Sequence, residues 1–192
     1  YRYCMAKSKT GSFWLTEAVS VAVGSNQGSG TLDLGAYVDV GDQQAIAIEY
    51  VDYIWQREAS GIFDSYINDI VPAEASLTAQ LTDLNPGSLV LRADDNSLIS
   101  QGQLHISTGL NGAGAMENTN TLTAASSFYP DVYGKLDESR MVVNDSLFVL
   151  IDCNGNVANN DLVCTVRIKA RIVKLSTKDW MAIAIQSTAS DN

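Results

Sequence analysis

The stretch that decides the fold is residues 161–175, with the sequence DLVCTVRIKARIVKL. In its centre the basic residues Arg167, Lys169 and Arg171 alternate with valine, isoleucine and alanine. Successive side chains of a β-strand point to opposite faces of the sheet, so a period of two separates the cations from the apolar residues. The stretch therefore predicts a long strand with one apolar face and one basic face.

Seven further segments have apolar patterns typical of strands. They cover residues 13–23, 31–40, 45–56, 75–83, 88–92, 98–107 and 141–151. We expect the first three to be successive antiparallel strands. Asp outnumbers Glu by 16 to 6, and Asp favours turns whereas Glu favours helices. Because no βαβ alternation accompanies these segments, they predict an all-β sandwich or barrel.

Three segments depart from the strand pattern. In residues 58–71 apolar side chains recur at helical spacing, which predicts one short amphipathic helix before Pro72. Residues 176–179 (STKD) fit the N-cap of a short C-terminal helix, although the residues that follow are equally compatible with a buried strand. Residues 109–127 are rich in Gly, Asn, Thr and Ala, which predicts a long loop or a loop with one weak strand.

The domain organisation is predicted to be simple. The chain has 192 residues with no internal repeat or linker, so we expect one domain over residues 1–192. Within it we distinguish an N-terminal arm (1–11), a β-sandwich (12–175) and a C-terminal segment (176–192). The sequence begins at Tyr1, which we interpret as the start of a processed or truncated product. No apolar run approaches the roughly 18 residues that a membrane span requires.

The residues available for catalysis or metal binding are few. His105 is the one histidine, which excludes a multi-histidine metal site, and we interpret it as a structural strand residue. No G-x-S-x-G motif is present. The loop 152–161 begins like an EF-hand, but Val157 stands where Gly is needed and Val163 where Glu is needed, so we interpret it as a hairpin loop. We therefore predict no enzyme, no cofactor and no metal.

The three cysteines are too few for a disulfide framework, and their number is odd. Cys153 and Cys164 flank the hairpin loop and are predicted to be two buried thiols, because sequence spacing alone does not bring two sulfurs together. With Cys4 they leave the redox compartment of the protein undetermined.

Charge is distributed unevenly in a chain whose net charge is −10. Residues 1–96 carry 5 basic and 13 acidic groups, whereas residues 97–192 carry 7 and 9. The basic residues of the long strand are either a solvated face paired with acids on a neighbouring strand, or a surface for nucleic-acid phosphates. A free-standing acidic binder would be repelled by nucleic acid, whereas a shell subunit with one basic inner face would not. The nucleic-acid-facing candidates are Arg167, Lys169, Arg171 and Lys174.

Two long segments carry a resemblance to a known family. They are residues 12–55, SFWLTEAVSVAVGSNQGSGTLDLGAYVDVGDQQAIAIEYVDYIW, and residues 142–180, VVNDSLFVLIDCNGNVANNDLVCTVRIKARIVKLSTKDW. In their residue patterns and in the order of their features, the two segments resemble the single jelly-roll capsid proteins of small icosahedral viruses, particularly those with single-stranded DNA. The resemblance implies an eight-stranded antiparallel jelly roll in a virion, copies of which assemble into a closed shell around the genome.

Other features bear on this hypothesis. The charged fraction is only 18%, and extensive subunit interfaces are depleted in charge. Tyr37, Tyr53 and Trp55, with Tyr50, are candidate interface aromatics, and the alternative for each is a place in the core. A second hypothesis is a carbohydrate-binding or adhesive β-sandwich that uses Trp14, Tyr37 and Trp55 as sugar platforms. A third is a hydrolase that depends on His105 or a carboxylate, although we expect His105→Ala to be nearly silent.

Overall fold

The computed structural model describes residues 6–107, 123–130, 133 and 140–188. These residues form eleven strands, one 3-10 turn and one helix. The strands are β1 (Lys7–Ser8), β2 (Phe13–Val21), β3 (Gln27–Asp33), β4 (Gln44–Ala59), β5 (Ile62–Asp64), β6 (Glu74–Thr82), β7 (Leu98–Ser107), β8 (Thr123–Tyr129), β9 (Arg140–Val142), β10 (Ser146–Cys153) and β11 (Asp161–Lys174). The 3-10 turn is Ile67–Asp69, and the helix, α1, is Thr177–Thr188.

The strands form two antiparallel sheets with the strand order of a jelly roll. The first sheet runs β2–β11–β4–β9, with β1 added beside β11 and β5 beside β4. The second sheet runs β3–β10–β6–β7–β8. The chain alternates between the sheets from β2 to β3, β4 and β6, stays in the second sheet through β7 and β8, and alternates again from β9 to β11. This path is the double Greek key of an eight-stranded jelly roll. The predicted jelly-roll sandwich is confirmed.

The core lies between the inner faces of the two sheets. Its fully buried side chains include Ile46 and Ile168 from the first sheet and Leu77, Leu81 and Leu147 from the second. On β11, Leu162 and the even-numbered residues through Ala170 are buried, so the predicted alternation of apolar and basic faces is confirmed for this stretch.

Helix α1 covers one end of the outer surface of the first sheet. Trp180, Ile183 and Ala184 pack there against a second buried cluster. That cluster consists of Ala45, Ala47, Val143, Val173 and Leu175. The predicted N-cap is confirmed, since the Ser176 hydroxyl accepts a hydrogen bond from the Asp179 amide at 3.1 Å and donates one to the Asp179 carboxylate at 2.6 Å.

Two of the predicted strands are wrong: one is shorter than predicted and the other is absent. Residues 31–40 are not one strand, because β3 ends at Asp33, whose carboxylate accepts a hydrogen bond from the Gly35 amide at 2.8 Å and begins a turn. Residues 88–92 form no strand at all. They are held across the outer surface of the second sheet by the buried Gln80 side chain, which bonds both the amide and the carbonyl of Leu91 at 2.7 Å.

The pairing of the first three strands also differs from expectation. β2 and β4 both pair with β11, whereas β3 lies in the other sheet beside β10. Residues 141–151 were expected to be one strand, but the chain crosses between sheets after Val142 and divides the segment into β9 and β10. Strand alternation is a local pattern, whereas sheet partners are chosen by contacts distant in sequence.

The predicted helix over residues 58–71 is replaced by a hairpin. β4 continues to Ala59 and turns through Ser60 and Gly61, whose φ values are +52° and +79°. The Arg57 guanidinium then bonds the Asp64 carboxylate across the hairpin at 2.6 and 3.1 Å. One 3-10 turn is the helical structure that remains in this insertion.

The cysteines, the predicted loop and the predicted N-terminal arm are described only in part. Cys153 and Cys164 are free and buried, as predicted, and burial raises the pKa of both thiols. Cys4 lies outside the described residues. Most of the predicted loop 109–127 does so as well, and its end belongs to β8. Of the predicted arm, residues 7–8 form β1 and pair with the end of β11.

Candidate nucleic-acid interface

The outer surface of the first sheet is open beyond the part that α1 covers. Here three neighbouring strands, β2, β11 and β4, present outward side chains in rows set by their register. We call this surface the open sheet face. It consists of Trp14, Thr16 and Ala18 on β2, Thr165, Arg167 and Lys169 on β11, and Tyr50, Asp52 and Ile54 on β4.

Two cations of the open sheet face form no ion pair among the described residues. Lys169 lies opposite Trp14 on one side and Tyr50 on the other. Arg167 lies opposite Asp52, and its guanidinium carbon is 5.0 Å from the centre of the Trp14 ring, a cation–π contact. Both positive charges therefore remain available to an anion from outside the chain.

The third predicted cation is neutralised within the chain. Arg171 forms an ion pair with Glu49 and donates a hydrogen bond to the Ser12 hydroxyl at 3.2 Å. Glu49 is the extra residue of a β-bulge, because Lys169 pairs with Tyr50 while Ala170 pairs with Ile48. For Arg171, the predicted alternative of a basic residue paired with an acid on a neighbouring strand is therefore correct.

The prediction that Lys174 extends the basic face is wrong. It lies five positions after Lys169 on the same strand, an odd offset, so its side chain lies on the opposite face of the sheet. There it lies opposite Lys7 of β1 and Gln44 of β4, and it is exposed because the strand ends. Nearness in sequence suggested one patch, whereas strand alternation separates the two positions.

The open sheet face also exposes two large aromatic rings. Trp14 is 46% exposed and Tyr50 is 47% exposed, although the strands that carry them both pair with β11. The Asp52 carboxylate raises the pKa of Tyr50 by hydrogen bonding and by its charge. The face thus combines cations with flat apolar surfaces.

The other aromatic candidates lie elsewhere. Tyr53 is 8% exposed and belongs to the main core, which is the alternative that the sequence left open for it. Trp55 and Tyr37 are half-buried and pack against the same core, and Tyr37 stacks on Phe13 with ring centres 5.3 Å apart. Of the three predicted sugar platforms, Trp14 alone lies on the open sheet face.

The histidine on which the hydrolase hypothesis depends lies outside the open sheet face. His105 is exposed on β7, with Nε2 4.0 Å from a carboxylate oxygen of Glu74. The described residues contain no group of three metal-ligating side chains. They also contain no helix long and apolar enough to cross a membrane.

Two cavities flank the edges of the sandwich. The larger, about 380 Å³, lies beside the C-terminal part of α1 and contains the Asp83–Arg140 ion pair, 3.3 Å between Nη2 and Oδ2. Burial raises the pKa of Asp83 despite this partner. The smaller, about 200 Å³, adjoins the open sheet face, where Tyr50 and Asp52 share it with Phe128 and Tyr129 of β8.

No model of a known protein family matches the chain, and neither does any curated protein sequence. Among solved structures, similarity extends to the VP1 protein of Merkel cell polyomavirus, solved as an unassembled pentamer. It is 10% identical, with 90% of this chain and 100% of that chain covered and a TM-score of 0.42. The VP1 of Trichodysplasia spinulosa-associated polyomavirus, solved with sialylated glycooligomers, is 8% identical, with 90% and 99% covered and a TM-score of 0.40. The jelly-roll assignment itself rests on the strand order of this chain.

Proposed function

We propose that the protein is a structural capsid subunit that assembles with copies of itself into a closed icosahedral shell around nucleic acid, and that it resides in the virion. The observation that carries this proposal is the number of separate places where the jelly roll exposes large apolar side chains. They are the β4–β5 hairpin (Ile62, Phe63, Tyr66), the β6–β7 loop (Leu89, Val90) and the outer side of α1 (Met181, Ile185).

These clusters face different directions. The β4–β5 hairpin lies at the end of the sandwich where β6 begins, and the β6–β7 loop lies at the end where β6 finishes. Single exposed apolar residues are ordinary, whereas clusters of them mark interaction surfaces. A monomeric binding module needs one such surface. A shell subunit needs several, because it contacts several neighbours at once.

The open sheet face supports the packaging part of the proposal. Within the part of the chain that the structure describes, Arg167 and Lys169 have no ion-pair partner, although the net charge of the chain is −10. The face therefore suits the nucleic-acid side of a shell, where the rest of the acidic surface is turned toward neighbours or solvent.

Assembly is tested by measuring the mass of the purified native protein by light scattering and by imaging the same sample in negative stain. We expect megadalton particles of uniform diameter. A 20.6 kDa monomer in buffer free of denaturant and high salt would contradict the capsid proposal. If that monomer bound glycans through Trp14, the carbohydrate-binding alternative would replace it.

Packaging is tested with the double variant Arg167→Gln/Lys169→Gln. We expect particles of normal size whose ratio of absorbance at 260 to 280 nm is reduced, since two unpaired charges per subunit are lost. Lys174→Gln is the matched control, because it removes one exposed cation from the opposite side of the sheet. Unchanged nucleic-acid content in the double variant would refute the role of the open sheet face.

A further inference from the structure

We infer that the open sheet face binds single-stranded nucleic acid in preference to duplex, with bases stacked on Trp14 and Tyr50 and phosphates bound by Arg167 and Lys169. This inference rests on the proposed function and names the ligand of that same surface. It follows from the placement of rings and charges on the three strands.

The rings and the cations alternate across the sheet. Lys169 stands between Trp14 and Tyr50 in one row, so the two rings start about 10 Å apart, twice the spacing of neighbouring strands. Arg167 lies on the same face two residues before Lys169, about 7 Å away along the strand. A flexible strand of nucleic acid can place phosphates on the cations and turn its bases onto the rings at either side.

The contact between Arg167 and Trp14 fits this mode of binding. The guanidinium lies over the indole at 5.0 Å, and both groups are flat surfaces on which a base can stack. The pair is held together before a ligand arrives, which lowers the ordering cost of binding. Beside Tyr50, the cavity of about 200 Å³ adds the ring of Phe128 and the Asp52 carboxylate, an acceptor for a base amino group.

A duplex fits the same surface poorly. Its bases are stacked on each other, so their faces are closed to Trp14 and Tyr50, and reading its grooves requires an inserted helix or ribbon. Two cations, unpaired among the described residues, are a small phosphate-binding set on their own, and Asp52 partly opposes them. A neutral sugar could stack on Trp14 but would leave both cations unused. The combination of exposed rings with unpaired cations therefore favours a single strand.

The test uses the full chain with fluorescein-labelled oligothymidine and with a DNA duplex of the same length, at an ionic strength of about 0.05 M. We expect the single strand to bind at least about 10-fold more tightly than the duplex. Trp14→Ala should weaken single-strand binding about 5- to 100-fold, the usual effect of removing one stacked base, and Trp14→Phe should restore most of it. Lys174→Gln is the control that leaves affinity unchanged.

A second readout reports stacking directly. Of the three tryptophans, Trp14 is the one on the open sheet face, so bound oligothymidine should quench tryptophan fluorescence in the wild type and not in Trp14→Phe. Arg167→Gln/Lys169→Gln should reduce the slope of log affinity against log salt by about 1.4, at 0.7 per phosphate contact.

The outcomes separate this inference from the proposed function. Equal affinity for single strand and duplex, or no effect of Trp14→Ala, would overturn the inference even if uniform particles form. Glycan binding lost in Trp14→Ala, without oligonucleotide binding, would overturn it in favour of a carbohydrate surface. Single-strand binding with quenching by a protein that stays monomeric would support the inference while contradicting the shell.

Discussion

At the scale of single residues, Gly102 packs directly against the ring of Tyr53. A Cβ atom at Gly102 would lie 2.5 Å from Cδ2 and 2.9 Å from Cγ of the buried Tyr53 ring. Because Gly102 and Tyr53 are both buried, we expect Gly102→Ala to lower the free energy of unfolding by about 1–3 kcal/mol. Urea denaturation measures this change. Gly11→Ala, which meets nothing within 4 Å, is the control, and equal stability of both variants would show that the ring moves aside freely.

The Asp83 carboxylate provides a prediction about pH. Burial raises the pKa of Asp83 above its ordinary 3.8, so the folded protein holds this proton at higher pH than the unfolded chain does. The contribution of Asp83 to stability therefore falls as pH rises from 3.8 through the higher folded value. We expect the unfolding free energy of the wild type, minus that of Asp83→Asn, to decrease across this window. A difference that increases with pH would mean that the Arg140 ion pair outweighs burial.

At the scale of elements, Trp180 is one of the side chains that hold α1 to the sheet. Trp180 packs on the second cluster, and its indole nitrogen donates a hydrogen bond to the Gln44 carbonyl at 3.3 Å. We expect Trp180→Ala to cost about 2 kcal/mol, less than for a fully buried tryptophan, and to speed amide hydrogen exchange in α1. Met181→Ala, at a neighbouring position that is 58% exposed, should change neither. Exchange in α1 that is equal in both variants would contradict this account.

The elements also show which parts of the fold the sequence patterns could predict. The period of two predicted strand β11 with its apolar and basic faces, because burial repeats along that strand. The pattern failed at residues 88–92, where the Gln80 side chain supplies the hydrogen bonds that a strand partner would give. It also failed at residues 58–71, where two positive φ values turn the chain back into a hairpin.

The candidate site was predictable where it depends on the alternation of side chains along one strand. Alternation along β11 placed Arg167 and Lys169 on one face, and the same rule applied strictly would have removed Lys174. The pairing of Arg171 with Glu49 was beyond prediction, because it depends on a bulge in a strand more than a hundred residues away. The row of Trp14, Lys169 and Tyr50 likewise depends on the register of three strands.

At the scale of the whole molecule, assembly brings copies with a net charge of −10 together. Their mutual repulsion opposes assembly, whereas the exposed apolar clusters favour it. Salt acts on the two forces differently. It shortens the distance over which charges interact from about 10 Å at 0.1 M to about 3 Å at 1 M, and it does not weaken apolar contacts. Binding of nucleic acid, in contrast, weakens as salt rises.

We therefore expect salt to separate assembly from packaging. As NaCl rises from about 0.1 M to about 1 M, the fraction of subunits in particles should increase while their nucleic-acid content decreases. Sedimentation velocity with detection at 260 and 280 nm measures both quantities in one experiment. Arg167→Gln/Lys169→Gln should respond to salt with the same increase in assembly, from particles already poor in nucleic acid. Particles that dissociate as salt rises would show instead that ion pairs or nucleic acid hold the subunits together, and the apolar clusters would lose their assigned role.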